Sequence, residues 1–225
     1  METADQSQLT VGLAQIAPVW LDRTRTLQKV NAFIEQAAAK RCGLVVFGEA
    51  IAPGYPFWVE LTDGARFNSD LQKAIFAEYA SQAVRPYAGD LDSLRATAAR
   101  NRIAVYLGIM ECPEDRGSHS LYCSLVFIDR DGRTVSLHRK LVPTYEERLV
   151  WSPGDGHGLR THKLGAFRAG ALNCWENWSH SPEQLYTLKG KTCTLPRGPA
   201  AHGTHGISRD SSRLRRAPTW CRCLG

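Results

Sequence analysis

Short apolar runs that end on a polar side chain, separated by stretches of helical spacing, restrict this chain more than any other feature. LTVGLAQIAP (9–18) reads as a strand, and LVVFGE (44–49) as a short buried one that closes on Glu49. Between them Asp22 is a plausible N-cap for TRTLQKVNAFIEQAAAK, where Leu27, Val30, Phe33, Ile34 and Ala37 recur at helical intervals until Gly43 ends the segment. AIAPGYPFW is a Gly/Pro loop, and two helices are predicted at about 70–82 and 91–101. IAVYLGIM (103–110) and CSLVFIDR (123–130) are strands, the second turning through DRDGR into TVSLHRK, and AFRAGALNC is the last strand, arriving at Cys174. Alternating strand and helix with one hairpin implies an α/β domain whose sheet has one mixed region.

Charge divides the chain. The net charge of +6 suggests an anionic partner when taken alone. Residues 1–178 hold 20 Lys+Arg against 20 Asp+Glu, however, and residues 179–225 hold 8 against 2, so the excess belongs to the end of the chain. A domain boundary is expected at Trp178, between a globular unit over 9–178 and a basic tail of low periodicity over 179–225 that is expected to be disordered. The longest apolar runs fall short of a bilayer span, and METADQSQ has no basic n-region or apolar h-region, which predicts a soluble, cytoplasmic protein. Seven cysteines without framework spacing point to reduced thiols.

Three strand ends carry side chains that would complement one another if the strands are neighbours: Glu49, Lys140 and Cys174. A thiol attacks as thiolate, so it needs a base and nearby positive charge; Glu49 suits the first, and Lys140 the second, by lowering the thiol's pKa and then holding developing negative charge. Each residue also has a plain structural reading. Cys174 fits as a small buried hydrophobe, Glu49 as a turn cap and Lys140 as a solvated strand end. The loops around them tip the balance toward chemistry.

FGEAIAPGYPFW, HRKLVPTYEERLVWSPGDG and NCWENW, in that order and spacing, resemble the nitrilase branch of the carbon–nitrogen hydrolase superfamily over about residues 9–178. The resemblance implies a four-layer αββα sandwich, here incomplete for want of its C-terminal part, and a triad of Glu49 (proton acceptor), Lys140 (charge stabilisation) and Cys174 (nucleophile). It further implies a supporting glutamate in YEER, assigned to Glu147 with Glu146 as the alternative. Trp175 directly after the cysteine looks more like nitrilases than like amidases or carbamoylases of the same superfamily; its backbone N–H is expected to face the substrate, with Tyr55 and Trp58 as further substrate contacts. Substrate preference is expected to depend on the loops around Trp58 and His157.

The activity implied is conversion of a nitrile to a carboxylic acid and ammonia through a cysteine-bound thioimidate and thioester, without metal or organic cofactor. An amidase-like or nitrile-hydratase-like activity on the same scaffold, or an inactive remnant, are the alternatives. The family resemblance also implies homo-oligomers, dimers that extend into spirals.

The basic end departs from the family pattern. With permitted codons, the last twenty residues read from the third base of a codon become a helix-compatible apolar run followed by a β-type run, so a reading-frame break after Trp178 is expected. The coding DNA tests this: stops in the offset frame contradict it. TWCRC has its cysteines one residue apart rather than the two to four of zinc knuckles, and SRLRRAP lacks interleaved aromatics, so neither metal nor nucleic acid is expected as a partner.

Overall fold

The structure, a computed structural model, describes residues 8–115 and 119–178 together with the strand segments 192–195 and 219–224. Its main sheet has six strands in the order β5-β4-β3-β2-β1-β9, formed by β1 (Gln8–Ala14), β2 (Leu44–Phe47), β3 (Ala104–Glu111), β4 (Tyr122–Ile128), β5 (Thr134–Arg139) and β9 (Thr219–Leu224). β1, β2 and β3 are parallel, while β4, β5 and β9 join antiparallel. This is the mixed sheet that the hairpin at DRDGR foretold. A second sheet holds β6 (His162–Leu164), β7 (Phe167–Ala171) and β8 (Thr192–Leu195) in the order β6-β7-β8.

The central strands are apolar at nearly every position because each face meets a different core. Alternate side chains of a strand point to opposite faces. Val45, Phe47, Val105, Leu107, Ile109, Val126 and Ile128 pack beneath α1 (Arg23–Ala39) and α4 (Asp92–Asn101) with Leu27, Val30, Ile34, Leu94 and Ala98. Their neighbours Leu44, Val46, Ala104, Tyr106, Leu125 and Phe127 pack against Leu164, Ala169 and Ala171 of the second sheet. Helices, sheet and sheet are three layers of the αββα sandwich. The outer face of the second sheet exposes Lys163 and Arg168, and no helix covers it among the described residues.

Local signals fix the helix ends. Asp22 accepts a hydrogen bond from the Arg25 backbone N–H at 2.8 Å and so starts α1, and Ser69 starts α3 (Asp70–Ser81) in the same manner. α2 (Trp58–Leu61), a single turn inside the Gly/Pro loop, and β6 are too short to leave a periodic trace and were not anticipated. None of the described helices is long and apolar enough to cross a membrane.

The stretch 179–225, expected without regular structure, contributes two strands. β9 pairs with β1 and β8 pairs with β7, each continuing a sheet at a strand edge that would otherwise present unpaired backbone groups. TWCRCL and TCTL carry enough Thr, Trp and Cys to accept that geometry. The rest of 179–225, where disorder was expected, lies outside the described residues.

Candidate active site

Glu49, Lys140 and Cys174 each stand just past the end of a strand, where the backbone leaves the sheet. Glu49 is two residues beyond β2, Lys140 one beyond β5, and Cys174 three beyond β7, where it opens the 3-10 turn Cys174–Trp178. Left-handed backbone recurs at these exits. φ is +39° at Cys174, +47° at Ala50 beside Glu49, and +44° at Tyr145 in the loop after Lys140. Such conformations cost non-glycine residues on the order of 1–3 kcal/mol and persist where the surroundings fix them.

Close backbone approach makes this arrangement possible. Gly108 of β3 lies so near Gly48 and Glu49 that a Cβ there would collide with the Gly48 carbonyl oxygen and the Glu49 Cα. Gly154, in the SPGDG loop, donates its N–H to the Lys140 carbonyl at 2.8 Å and leaves no room for a Cβ against the Arg139 backbone. The loop therefore clasps the end of β5.

Lys140 is 1% exposed and sits between two carboxylates. Its Nζ donates to Glu49 Oε1 at 2.8 Å and to Glu147 Oε2 at 2.7 Å, and both acids are buried. A buried lysine is tolerable only with such pairing. Glu147 is fixed by a capping box in the 3-10 turn Tyr145–Leu149: it accepts the Thr144 N–H at 2.6 Å while the Thr144 side chain accepts its own N–H. The Tyr55 hydroxyl donates to its other oxygen at 2.8 Å. Glu146, the alternative weighed from YEER, is exposed.

The Cys123 thiol, not anticipated as part of this cluster, donates to Glu49 Oε1 at 3.4 Å. Glu49 Oε2 is buried without a hydrogen-bond partner. It is the oxygen of this cluster left free to accept a proton.

Two carboxylates around one ammonium leave a net negative site, and the proton affinities follow. Burial, strengthened by Glu147, raises the Glu49 pKa against the opposing pull of Lys140. Burial works against the Lys140 ammonium, yet Glu49, Cys123 and Glu147 together hold its pKa above the usual lysine range. The Cys174 thiol is pushed up to about 11, first by burial and then by the Glu49 carboxylate; Lys140 and the Trp175 backbone N–H pull the other way without prevailing. Lys140 pulls the thiol pKa in the expected direction, but the loss of solvent and then the charge of Glu49 outweigh it. The resting group is a thiol.

The remaining predicted contacts separate. Trp175 is half exposed and, with Leu141, Pro143, Tyr145 and Arg148, lines a cavity of about 450 Å³ beside the loop that follows Lys140, a cavity that Glu49, Lys140, Glu147 and Cys174 do not themselves line. Tyr55 packs edge-on against Trp151 with ring centroids 5.5 Å apart, behind Glu147. Trp58 is 5% exposed and packs against Tyr79 at 4.6 Å, which makes it part of the core beneath the loop. His157 lines a different groove, of about 600 Å³, with Glu111, Asp115 and Arg139. No group of three or more His, Cys, Asp or Glu suited to a metal occurs among the described residues.

One functional candidate escaped the sequence reading. Glu176, 6% exposed, accepts hydrogen bonds from the backbone N–H groups of Asn173 (2.7 Å) and Leu141 (2.8 Å) and from His138 Nε2 (3.0 Å). The three consecutive basic residues of β5 and its end thereby each meet a buried carboxylate: His138 meets Glu176, Arg139 meets Glu111 at 2.6 Å, and Lys140 meets Glu49 and Glu147.

A sandwich of this kind, with Glu, Lys and Cys converging at the sheet ends, defines a class that the comparisons identify. The chain belongs to the carbon–nitrogen hydrolase family, whose model matches residues 10–196, past the boundary expected at Trp178. Among curated proteins it is 36% identical over 183 residues to a Nitrilase 2 from an unknown prokaryotic organism, covering 81% of this chain and 56% of that one. It is 34% identical over 182 residues to an aliphatic nitrilase of Rhodococcus rhodochrous, covering 80% and 45%. Its fold is similar to that of an amidase from Nesterenkonia sp., with a TM-score of 0.64 at 16% identity over 88% of this chain and 67% of that one. The chain spans about half the length of the curated relatives it matches.

Proposed function

We propose that the site hydrolyses nitriles to carboxylic acids and ammonia, with Cys174 as nucleophile, Glu49 as base and Lys140 as the charge that meets the developing anion. The observation that carries this reading is the buried Glu49–Lys140–Glu147 cluster with one unpartnered oxygen, Glu49 Oε2, acting on a Cys174 thiol that is protonated at rest. The likeness to curated nitrilases supports the choice of substrate class.

In the proposed cycle Glu49 takes the thiol proton as Sγ adds to the nitrile carbon. A raised carboxyl pKa brings donor and acceptor closer in proton affinity and eases this transfer. Lys140 and the Trp175 N–H, which already bears on the Cys174 sulfur, stabilise the nitrogen that gains charge. Proton return gives the thioimidate, water adds to it, and ammonia leaves a thioester. A second water, oriented by Glu49 and Glu147, adds to the thioester carbon; the C–S bond breaks, the acid departs and the thiol is restored. Every step uses protons and water only, so no cofactor enters.

Ammonia release from aryl-, arylaceto- and aliphatic nitriles, measured on the 225-residue chain beside its Cys174→Ala variant, tests the proposal. Turnover that vanishes in the variant while the circular dichroism spectrum is retained is expected. Substantial activity in Cys174→Ala, or none in a cooperatively folded parent chain, contradicts it.

A further inference from the structure

Resting on the proposed chemistry at Cys174, we propose that Glu176 is a positioning residue whose carboxylate ties the nucleophile turn to the strand end that carries Lys140, with His138 anchoring the tie. Asn173, whose N–H it accepts, immediately precedes Cys174, and Leu141, whose N–H it also accepts, immediately follows Lys140. The two bonds use different oxygens, Oε2 and Oε1, so one planar group spans two chain segments from two different sheets. No covalent or strand pairing joins those segments here among the described residues; β5 and β7 belong to separate sheets.

His138 determines how the carboxylate is held. Its Nε2 lies 3.1 Å from Oε1 and 3.0 Å from Oε2, and because a carboxylate only accepts, Nε2 must carry the hydrogen. His138 and Lys140 are two residues apart, so they project from the same side of the chain, one holding the carboxylate that bears the nucleophile turn and the other holding Glu49. The Glu176–Cys174 turn is further closed by Glu176 N–H to the Asn173 carbonyl at 2.9 Å and by the Asn177 side-chain amide to the Cys174 carbonyl at 2.8 Å. These local bonds shape the turn, while the Glu176 carboxylate ties it to the strand end that carries Lys140. Left to itself, a turn with φ +39° at Cys174 would relax and carry the sulfur away from Glu49.

The substitution Glu176→Gln separates this role from a purely structural one. An amide NH2 cannot accept from a backbone N–H, so one of the two backbone bonds is lost while volume is kept. His138→Gln is the second variant; it leaves both backbone bonds and loosens only the anchor. Each is read in the full chain by the pH profile of Cys174 alkylation with iodoacetamide, resolved by peptide mass spectrometry, and by nitrile turnover normalised to alkylatable Cys174. Glu49, Lys140 and Glu147 bear on this thiol, and Glu176→Gln also removes a carboxylate two residues from it, which lowers the pKa without any movement, so the midpoint of His138→Gln, which removes no carboxylate, is the one that reports position. In Glu176→Gln the alkylation midpoint is expected to fall from about 11 toward the ordinary thiol value of about 8.5. Its kcat is expected to drop about 10- to 100-fold with KM changed less than about threefold, the signature of a misplaced reacting group. His138→Gln moves both readouts the same way by less. An unmoved midpoint and a parental kcat per alkylatable Cys174 in Glu176→Gln, or in His138→Gln should the first variant not fold, overturn the proposal. The alkylation profile needs no turnover, so a midpoint that moves in His138→Gln as well as in Glu176→Gln, in a chain that hydrolyses no nitrile, sinks the nitrilase reading and leaves the tie standing.

Discussion

Glu49 stands past a central strand covered on both faces and Lys140 past the edge strand β5, whereas Cys174 stands beyond a strand of a small sheet whose outer face exposes charged side chains. The first two are held by buried ion pairs and by backbones packed so tightly that only glycine fits between them. The third is held by a tight turn and a few hydrogen bonds from Glu176 and Asn177. The lesson is a division of labour. One region builds the charge environment; the other presents the half-buried sulfur proposed to react and is expected to tolerate a change of that atom without loss of fold.

Cys174→Ser gives the largest expected effect and sharpens that division. Ammonia release should fall on the order of 10⁴-fold or more, since the covalent route is removed, while thermal unfolding is unchanged. A large loss of stability would place Cys174 with the core and erase the distinction. Lys140→Met probes the other region: removing one partner of a buried ion pair strands two carboxylates and should cost about 3–5 kcal/mol in urea unfolding. A cost under about 1 kcal/mol, the range of an exposed pair, would break the comparison.

Gly108→Ala comes next. The new Cβ would strike the Gly48–Glu49 backbone, so about 1–3 kcal/mol of destabilisation is expected together with reduced turnover as Glu49 shifts. Full activity at parental stability would mean that the close approach does not position the base.

The remaining effect lies between the sheets. Burial, with Arg160 assisting, lowers the His162 pKa to about 4, and the ring stacks on Phe127 at 3.9 Å with Nδ1 2.8 Å from the Tyr106 hydroxyl. Between its unfolded value of about 6.5 and that folded value the unfolded chain binds more protons, so stability falls as pH drops through this window. The contribution is fully present above about pH 6.5 and amounts to about 2–3 kcal/mol when lost. Urea unfolding at pH 7.5 and pH 5 should show part of this fall in the parent and a shallower dependence in His162→Phe.

Legibility followed the same division. The strands β1–β5 and β7 and the helices α1 and α4 were readable because each buries a regular face: Leu27, Val30 and Ile34 repeat at helical intervals, and LVVF is apolar throughout because two cores claim alternate residues. Glu49, Lys140 and Cys174 were readable because a polar group closing an apolar run is conspicuous. Glu176 was not, since its value depends on His138 and the Leu141 N–H, 38 and 35 residues away. Cys123 joins Glu49 across 74 residues and looks like any strand cysteine. Trp58 sits in a loop rich in aromatics, and nothing in that string shows that it packs on Tyr79. The net direction of the Cys174 shift was not legible, because burial, its largest cause, belongs to the fold and not to the neighbouring residue types.

The central claim is that Cys174 reacts as a covalent nucleophile activated by Glu49. Acid-quenched turnover of a nitrile followed by peptide mass spectrometry tests it most directly. A substrate-derived thioimidate or thioester mass on the peptide containing Cys174, present in the parent chain and lost in Glu49→Gln, is the predicted result. Continued nitrile hydrolysis with Cys174 unmodified at every quench time would contradict it.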